Sequence, residues 1–552
     1  MSNNDNNNSN ANVGDWIAKY LGALNIDKAF GVISIHNMPI LDAFTRHGMT
    51  QFITARGEAG AANMADGAAR VTGGLSVLVT STGTGAGNAA GALLEAANAE
   101  SPMLHLTGQI PSLYVDKNWG YIHEATDQPG MLKSIGKGYW RVNSGAEIAE
   151  ILPKAIACAL SYPQGPVHVE IPIDVQKSLC NADIVKPVEQ TVATLAESDL
   201  EQVVDFLAQC KRPLLWLGGG CKPSQTAVTA LADMGIGVVT TTQGRGVIDE
   251  NHAMSLGSYT ADKTTEELYQ QCDGMLIVGS KIRSNETLSY ALKLPQRRFR
   301  VDLNELARDH SYSFDGFIQA DAQSLLPALA KALVGRIKVD PELAVQVSAT
   351  RLSAVTNCLK LGAPYSALAE HIGENYEDFI WVRDITLSNS TWGNRLLNRS
   401  LPKTAMHATG GGIGQGLPMA IGAAVAGGKS VVCLTGDGGL QLCVGELATL
   451  AETNLPVTMV LMNDYGYGVI RNIQTAHYDG RGGNTDLLTP DFSLYAKALG
   501  MRYQKIDCLS KASAALSAAE AHPGPSIVEV DMSAIGPFEH LFAGPPSRKK
   551  SS

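Results

Sequence analysis

Apolar runs of strand length alternate with helix-length amphipathic stretches along almost the whole of this chain. Runs at 28–32, 75–80, 102–107 and 167–172 mark a first segment, 12–180. Runs at 213–220 and 274–280 mark a second, 198–345. Those at 378–382, 431–435, 457–462 and 526–531 mark a third, 351–540. Strand and helix in regular alternation predict α/β domains, because parallel strands need a crossover and a helix supplies it. The expected fold is three doubly wound parallel-sheet domains. Polar stretches at 180–197 and 336–350 read as linkers, and 1–11 and 545–552 as disordered tails.

The third segment holds the densest chemistry. Its run 431–435 ends on Gly436-Asp437-Gly438-Gly439, and a helical stretch follows at 444–450. The next run, 457–462, ends on Asn463-Asp464-Tyr465-Gly466-Tyr467-Gly468. Two apolar runs joined by a helix are most economically parallel neighbours. Asp437 and Asn463 then emerge at one carboxyl edge, where open α/β sheets bind ligands. A carboxylate, an amide oxygen and nearby carbonyls make a hard, all-oxygen set suited to Mg²⁺. Glycines around Asp437 let phosphate oxygens approach the backbone. Alone, Gly-Asp-Gly is ordinary turn chemistry. Asn463, one crossover downstream, makes a metal-bridged diphosphate the expected ligand.

Composition narrows the class. The 552 residues are 45% hydrophobic and 17% charged, a globular balance. A formal net charge of −10 speaks against nucleic acid as a partner. No apolar run reaches the ~18 residues of a membrane span. Residues 1–8 lack the basic and apolar regions of a secretion signal. The nine cysteines form no CxxC pair, as expected for buried thiols in a reducing cytoplasm.

The motif around Asp437 and Asn463 resembles the diphosphate motif of thiamine diphosphate (ThDP) enzymes, in the acetolactate synthase-like and 2-oxo acid decarboxylase branch. The resemblance implies that Asp437, the Asn463 side chain and the Tyr465 carbonyl hold Mg²⁺. It places Gly436, Gly438, Gly439, Gly466 and Tyr467 around the cofactor. Asp464 stands where many relatives have a second Asn. The family also requires an activating glutamate that follows an early strand and opens a helix, and Ala55-Arg56-Gly57-Glu58-Ala59-Gly60 supplies Glu58. Its implied task is a hydrogen bond to N1′ of the aminopyrimidine. A lone glutamate there would merely complement a helix N-terminus.

Further runs extend the resemblance. The stretch 408–422 is similar to the family's glycine-rich approach to the cofactor, with Gly411, Gly412 and the bend-supporting wedge Ile413. The turn 384–394 resembles one that contacts diphosphate and pyrimidine, here through Thr386 and Ser388. His36 and His123 lie in turns near the relatives' substrate pocket. Either could exchange protons or be a hydrogen-bonded structural histidine.

The implied activity is ThDP- and Mg²⁺-dependent decarboxylation of a 2-oxo acid, ending in aldehyde release or in carboligation to a hydroxyketone. The implied assembly is a homodimer or homotetramer in which Glu58 of one subunit faces Asp437 of another. Departures set the chain apart from true acetolactate synthases. Ile473 stands where those enzymes place an acceptor-selecting Trp, Thr84 replaces a Pro, and Ile33-Ser34 replaces a Pro-Gly turn. The segment 279–287 lacks their Arg-Phe-Asp pattern, which speaks against FAD, the one further cofactor the resemblance allows. An acetolactate synthase large subunit is the alternative function. A non-catalytic ThDP-binding regulatory protein is a reading of another class, and the retained Glu58 argues against it. A nucleotide-dependent oxidoreductase using Gly218-Gly219-Gly220 would lack G-x-G-x-x-G.

Overall fold

The computed structural model describes residues 11–185, 195–545 and 547–548. The expected tails lie for the most part outside the described residues, as does 186–194 of the first expected linker. The first sheet contains β1 (Lys28–Gly31), β2 (Gln51–Thr54), β3 (Ser76–Thr80), β4 (Met103–Gln109), β5 (Gly138–Arg141) and β6 (Pro166–Pro172). Its order is β2-β1-β3-β4-β6-β5. The second contains β7 (Pro213–Leu217), β8 (Gly237–Thr240), β9 (Gly274–Val278), β10 (Arg298–Asp302) and β11 (Gly316–Gln319), ordered β11-β10-β9-β7-β8. The third contains β12 (Ile380–Arg383), β13 (Ala405–His407), β14 (Val431–Gly436), β15 (Val457–Asn463), β16 (Arg502–Ile506) and β17 (Ser526–Asp531). It is ordered β13-β12-β14-β15-β17-β16.

Every strand pairing in the three sheets is parallel. The second order reverses direction once, between β7 and β9, and the first and third reverse after β2 and β13 and again at their last strand, a doubly wound pattern. Central strands such as β4 and β15 are buried at every residue, which explains why they read as continuous apolar runs rather than alternating ones. Among the described residues no helix is long and apolar enough to cross a membrane.

The second expected linker is helical from residue 342 onward. Residues 342–361 form a single 20-residue helix, Glu342–Leu361, that covers much of the 336–350 stretch. Its N-terminal half buries Leu343 and Val347 in the core of the second domain, and its C-terminal half buries Ala354 and Cys358 in that of the third. Because its two ends face different cores, no single apolar stripe runs along it, and the sequence looks merely polar. The helical stretch expected at 444–450 runs Glu446–Thr453, and Asp437–Leu442 forms a short helix before it.

The first and third domains share one core. Helix Glu58–Thr72 lies against helix Gly416–Gly427, with Ala61, Ala62, Ala65, Ala420 and Ala423 all buried between the sheets. The approach is so close that a Cβ on Gly67 would overlap the Met419 carbonyl, and one on Gly422 the Met64 carbonyl. The glycine and alanine content of both segments is therefore a packing requirement.

Candidate active site

β14 pairs β15 with Gly436 opposite Met462, so the residues that follow, Asp437 and Asn463, leave the sheet side by side. Both are buried. Asn463 Nδ2 donates to Glu529 Oε1 at 2.8 Å, and Glu529 Oε2 accepts from the Tyr503 hydroxyl at 2.6 Å. That bond turns the Asn463 amide so that Oδ1 is left as an acceptor, which takes the Tyr465 N–H at 3.3 Å. Tyr465 has φ 57°, the left-handed bend that folds the chain back over this oxygen. Its carbonyl accepts from Leu487 N–H (3.1 Å) and lies 3.4 Å from Arg471 Nη2, so metal binding by that oxygen competes with two donors.

Negative charge is concentrated here. Asp464 N–H donates to Asp437 Oδ1 at 3.4 Å, and Arg471 lies 3.6 Å from the Asp464 carboxylate. Burial raises the Asp437 pKa. Burial and the neighbouring Asp437 charge raise that of Asp464 as well. A buried carboxylate beside a half-buried one, with one partly exposed arginine, favours a bound cation. Among the described residues no cluster of three His, Cys, Asp or Glu could hold a metal ion, so any cation here relies on amide and carbonyl oxygens too.

A cavity of about 330 Å³ opens beside this pair. Thr386, Ser388, Gly411 and Ile413 line it on one side, and Gly436, Gly438, Gly439, Gly466 and Tyr467 on the other. Asp437, Asn463, Tyr465 and Gly412 do not line it, although Gly436, Gly438, Met462 and Asp464 beside them do. A Cβ on Gly438 would lie 2.8 Å from the Tyr467 ring, so the floor is bare backbone of necessity. Among the described residues the buried Ser388 Oγ has no partner, a hydroxyl without an acceptor at the cavity wall. An oxygen-rich pair of residues, a glycine floor and an unsatisfied hydroxyl fit a diphosphate held through Mg²⁺.

Asp384 was not singled out from the sequence, yet it fixes this turn. Its buried carboxylate accepts from Ile385 N–H at 2.7 Å, Gly414 N–H at 3.0 Å and Gly416 N–H at 3.2 Å. Burial pushes its pKa up to about 6 against the pull of those N–H groups. A carboxylate directly after a buried strand was the available signal.

The first domain presents a second set of groups. Glu58 opens its helix, its Oε2 accepts from Asn88 Nδ2 at 3.2 Å, and a Cβ on Gly85 would come within 3.1 Å of Oε1. No residue of the first domain lines the cavity described above. His36 and His123 are brought together, with ring centroids 5.1 Å apart and edge-on. His36 is buried with no partner on Nδ1 among the described residues, and burial together with His123 holds its pKa below the usual imidazole range. His123 sits at φ 67°, on a loop ordered by Glu124, which accepts from the N–H groups of Asn118, Gly120 and Tyr121.

Behind these groups runs a network that sequence reasoning missed. Gln128 Nε2 donates to Glu170 at 2.7 Å, so its Oε1 accepts from Gly83 N–H (2.6 Å) and Thr82 Oγ1 (3.0 Å). Arg141 holds Glu170 from the other side at 2.5 Å. The Gly83–Gly85 turn that touches both Glu58 and the His123 carbonyl is thereby tied to the sheet.

Three parallel-sheet α/β domains, the third with a glycine-floored cavity at the carboxyl edge of its sheet, define a class of phosphate-cofactor proteins. The chain matches the thiamine pyrophosphate enzyme N-terminal TPP binding domain over residues 11–131, the central domain over 200–329 and the C-terminal TPP binding domain over 387–530. It belongs to the thiamine pyrophosphate enzyme family. It is 27% identical over 553 residues to the acetolactate synthase isozyme 2 large subunit of Escherichia coli, covering 94% of this chain and 95% of that one. A probable acetolactate synthase large subunit of Methanococcus aeolicus is 26% identical over 98% of this chain and 94% of its own. A probable 2-ketoarginine decarboxylase of Pseudomonas aeruginosa is 26% identical over 94% of this chain and 93% of its own.

Proposed function

We propose that this protein is a ThDP- and Mg²⁺-dependent enzyme that decarboxylates a 2-oxo acid and releases an aldehyde. The observation that carries the reading is the register of β14 on β15, which sets Asp437 beside Asn463, next to the residues Gly436, Gly438, Met462 and Asp464 that line a glycine-floored cavity. In this reading Asp437 and Asn463 hold Mg²⁺ with the Tyr465 carbonyl, and Thr386 and Ser388 donate to the diphosphate. Ile413, on the cavity wall, gives the cofactor apolar support. ThDP bound there supplies a nucleophilic thiazolium carbon and a sink for the electron pair that departing CO₂ leaves behind.

Glu58 of the partner subunit holds a proton at N1′ of the aminopyrimidine, and a dry site strengthens that bond. A homodimer or homotetramer is supported by the cavity itself, whose lining lies wholly between Ile385 and Pro545. The His36–His123 pair of that same partner subunit, joined to Glu58 by the Gly83–Gly85 turn, donates the proton that completes the aldehyde. Ile473 lies in the cavity wall in place of the acceptor-selecting Trp, which weighs against acetolactate formation.

The test is a mass-spectrometric screen of varied 2-oxo acids with ThDP and Mg²⁺. Aldehyde as the main product is expected. Hydroxyketone alone would move the protein to the carboligases, and no turnover of any 2-oxo acid would count against the reading.

A further inference from the structure

The helix that joins the second and third domains, Glu342–Leu361, has an apolar row on each of two faces. The inner face buries Leu343 and Val347 in one core and Ala354 and Cys358 in the other. The outer face carries Val345, Leu352 and Leu359, which are 63%, 69% and 42% exposed. Spaced every seventh residue, these three line up along about 21 Å of the helix. A seven-residue apolar repeat is the pattern by which one helix seats against another. Single exposed leucines are ordinary, but a solvated helix face usually carries charge. Here every exposed residue between Glu342 and Lys360 is uncharged.

The rest of the outer face suits close approach. Ser348, Ala349, Ser353 and Thr356, beside the row, are small and exposed. Ser353 Oγ donates to the Ala349 carbonyl at 3.0 Å, and Thr356 Oγ1 to the Leu352 carbonyl at 2.9 Å. Both hydroxyls are satisfied inside their own helix, so covering them orphans no polar group. Arg351, the one charged residue between Glu342 and Lys360, turns aside to the Ser255 carbonyl at 3.3 Å.

The charges at the two ends select the occupant. Glu342 and Lys360 are 18 positions apart, about five whole turns, and so share one flank of the row. Among the described residues neither side chain has an ion pair. A second copy of the helix laid antiparallel, with Leu352 over Leu352, sets Val345 against Leu359. It also brings each Glu342 within one turn's rise of the opposite Lys360. A parallel copy would set Glu342 on Glu342 and Lys360 on Lys360. Self-complementarity of this kind is what a two-fold axis requires.

We propose that the outer face of Glu342–Leu361 joins two catalytic dimers into a tetramer, each helix pairing antiparallel with the same helix of the other dimer. A face about 30 Å long and about 10 Å wide is small beside the roughly 800 Å² per partner of a standard interface. A dimer carries two such helices, however, and a tetramer of D2 symmetry seats two pairs at once. Association is therefore concentration-dependent. Glu58 and Asp437 lie outside this helix, and the proposal is independent of the reaction assigned above.

The test is sedimentation velocity of the full chain with ThDP and Mg²⁺ over a range of protein concentration. Expected is a two-chain species that gives way to a four-chain species as concentration rises. Leu352→Glu stays at two chains throughout. Glu342→Lys alone and Lys360→Glu alone each raise the dissociation constant at least about tenfold, because four ion pairs become like-charge contacts. The doubly reversed chain recovers wild-type association. Charges that merely complement the helix ends would make the double reversal the worst of the three. Oxidised Leu352→Cys runs as a covalent two-chain species on a denaturing gel, whereas Leu361→Cys, at the end of the helix, does not. Thermal unfolding confirms that each variant is folded. A wild-type mass that never exceeds two chains overturns the proposal and leaves the face to another partner. A four-chain mass that survives Leu352→Glu overturns it too, as does a double reversal without recovery.

Discussion

Glu529 holds the side-chain amide of Asn463 by its nitrogen, at 2.8 Å, and thereby presents the amide oxygen beside Asp437. Asn463 thus depends on a residue 66 positions away for its orientation. Replacing Glu529 with Leu removes the acceptor and lets the amide turn over. Outer partners of metal ligands are typically worth ~10–100-fold in metal affinity. The expected outcome for Glu529→Leu is therefore a Mg²⁺ requirement raised at least about tenfold for ThDP binding, read by tryptophan fluorescence, and restored by excess Mg²⁺.

The Gln128–Glu170 pair sets the turn on which Glu58 and His123 rest. In Gln128→Leu the half-buried Gly83 N–H loses its acceptor and Glu170 loses a donor, while the Thr82 hydroxyl keeps Gln109 at 2.8 Å. A stability loss of about 1–3 kcal/mol is expected from the unsatisfied groups. Turnover falls further than ThDP affinity, because the diphosphate cavity is not touched. Urea unfolding and a ThDP titration separate the two effects.

Helix Glu58–Thr72 and helix Gly416–Gly427 leave no room for a methyl group at their crossing. Gly422→Ala forces the Met64 carbonyl away, and overpacking of this kind costs roughly 1–3 kcal/mol or more. A lowered thermal midpoint is expected, and calorimetry of the holoenzyme reads it.

His105 and His168 form a buried pair in the first sheet, Nδ1 to Nδ1 at 2.9 Å. Burial holds His168 down to about 4, and His105 lies well below the usual imidazole range through burial and the His168 charge. The unfolded chain takes up these protons near pH 6.5, whereas the folded chain resists them until the pH is much lower. Stability is therefore full above about pH 6.5 and is lost as the pH falls from there toward the folded value. For His168 the window from about 6.5 to about 4 corresponds to ~3 kcal/mol. His168→Gln is expected to flatten the urea midpoint over that range; an equally steep decline would rule out the histidine as its source.

Strands such as β4 and β15 were legible because they are buried on both faces and read as apolar runs, whereas β2, β5, β8, β10, β11, β13 and β16, all but β10 at sheet edges, were not read. Asp437, Asn463 and Glu58 were legible because each sits where such a run ends or a helix begins. Glu529, Asp384 and Glu170 were not. Glu529 and Glu170 are polar residues inside strands, and only the sheet order, with β17 between β15 and β16 and β6 between β4 and β5, shows that they are enclosed. His36 and His123 were visible singly, but their 5.1 Å approach depends on loop backbone that no periodicity encodes. The 342–361 helix was hidden because its two halves serve different cores.

The central claim is that the catalytic centre joins Asp437 of one subunit to Glu58 of another. Co-expression of Glu58→Gln and Asp437→Ala chains carrying different affinity tags, with purification of the mixed oligomer, tests it directly. Each parent variant is expected to be inactive on the 2-oxo acid substrate. A mixed dimer regains one site in two, so about half of the wild-type turnover is predicted. A mixed dimer as inactive as its parents would contradict the account.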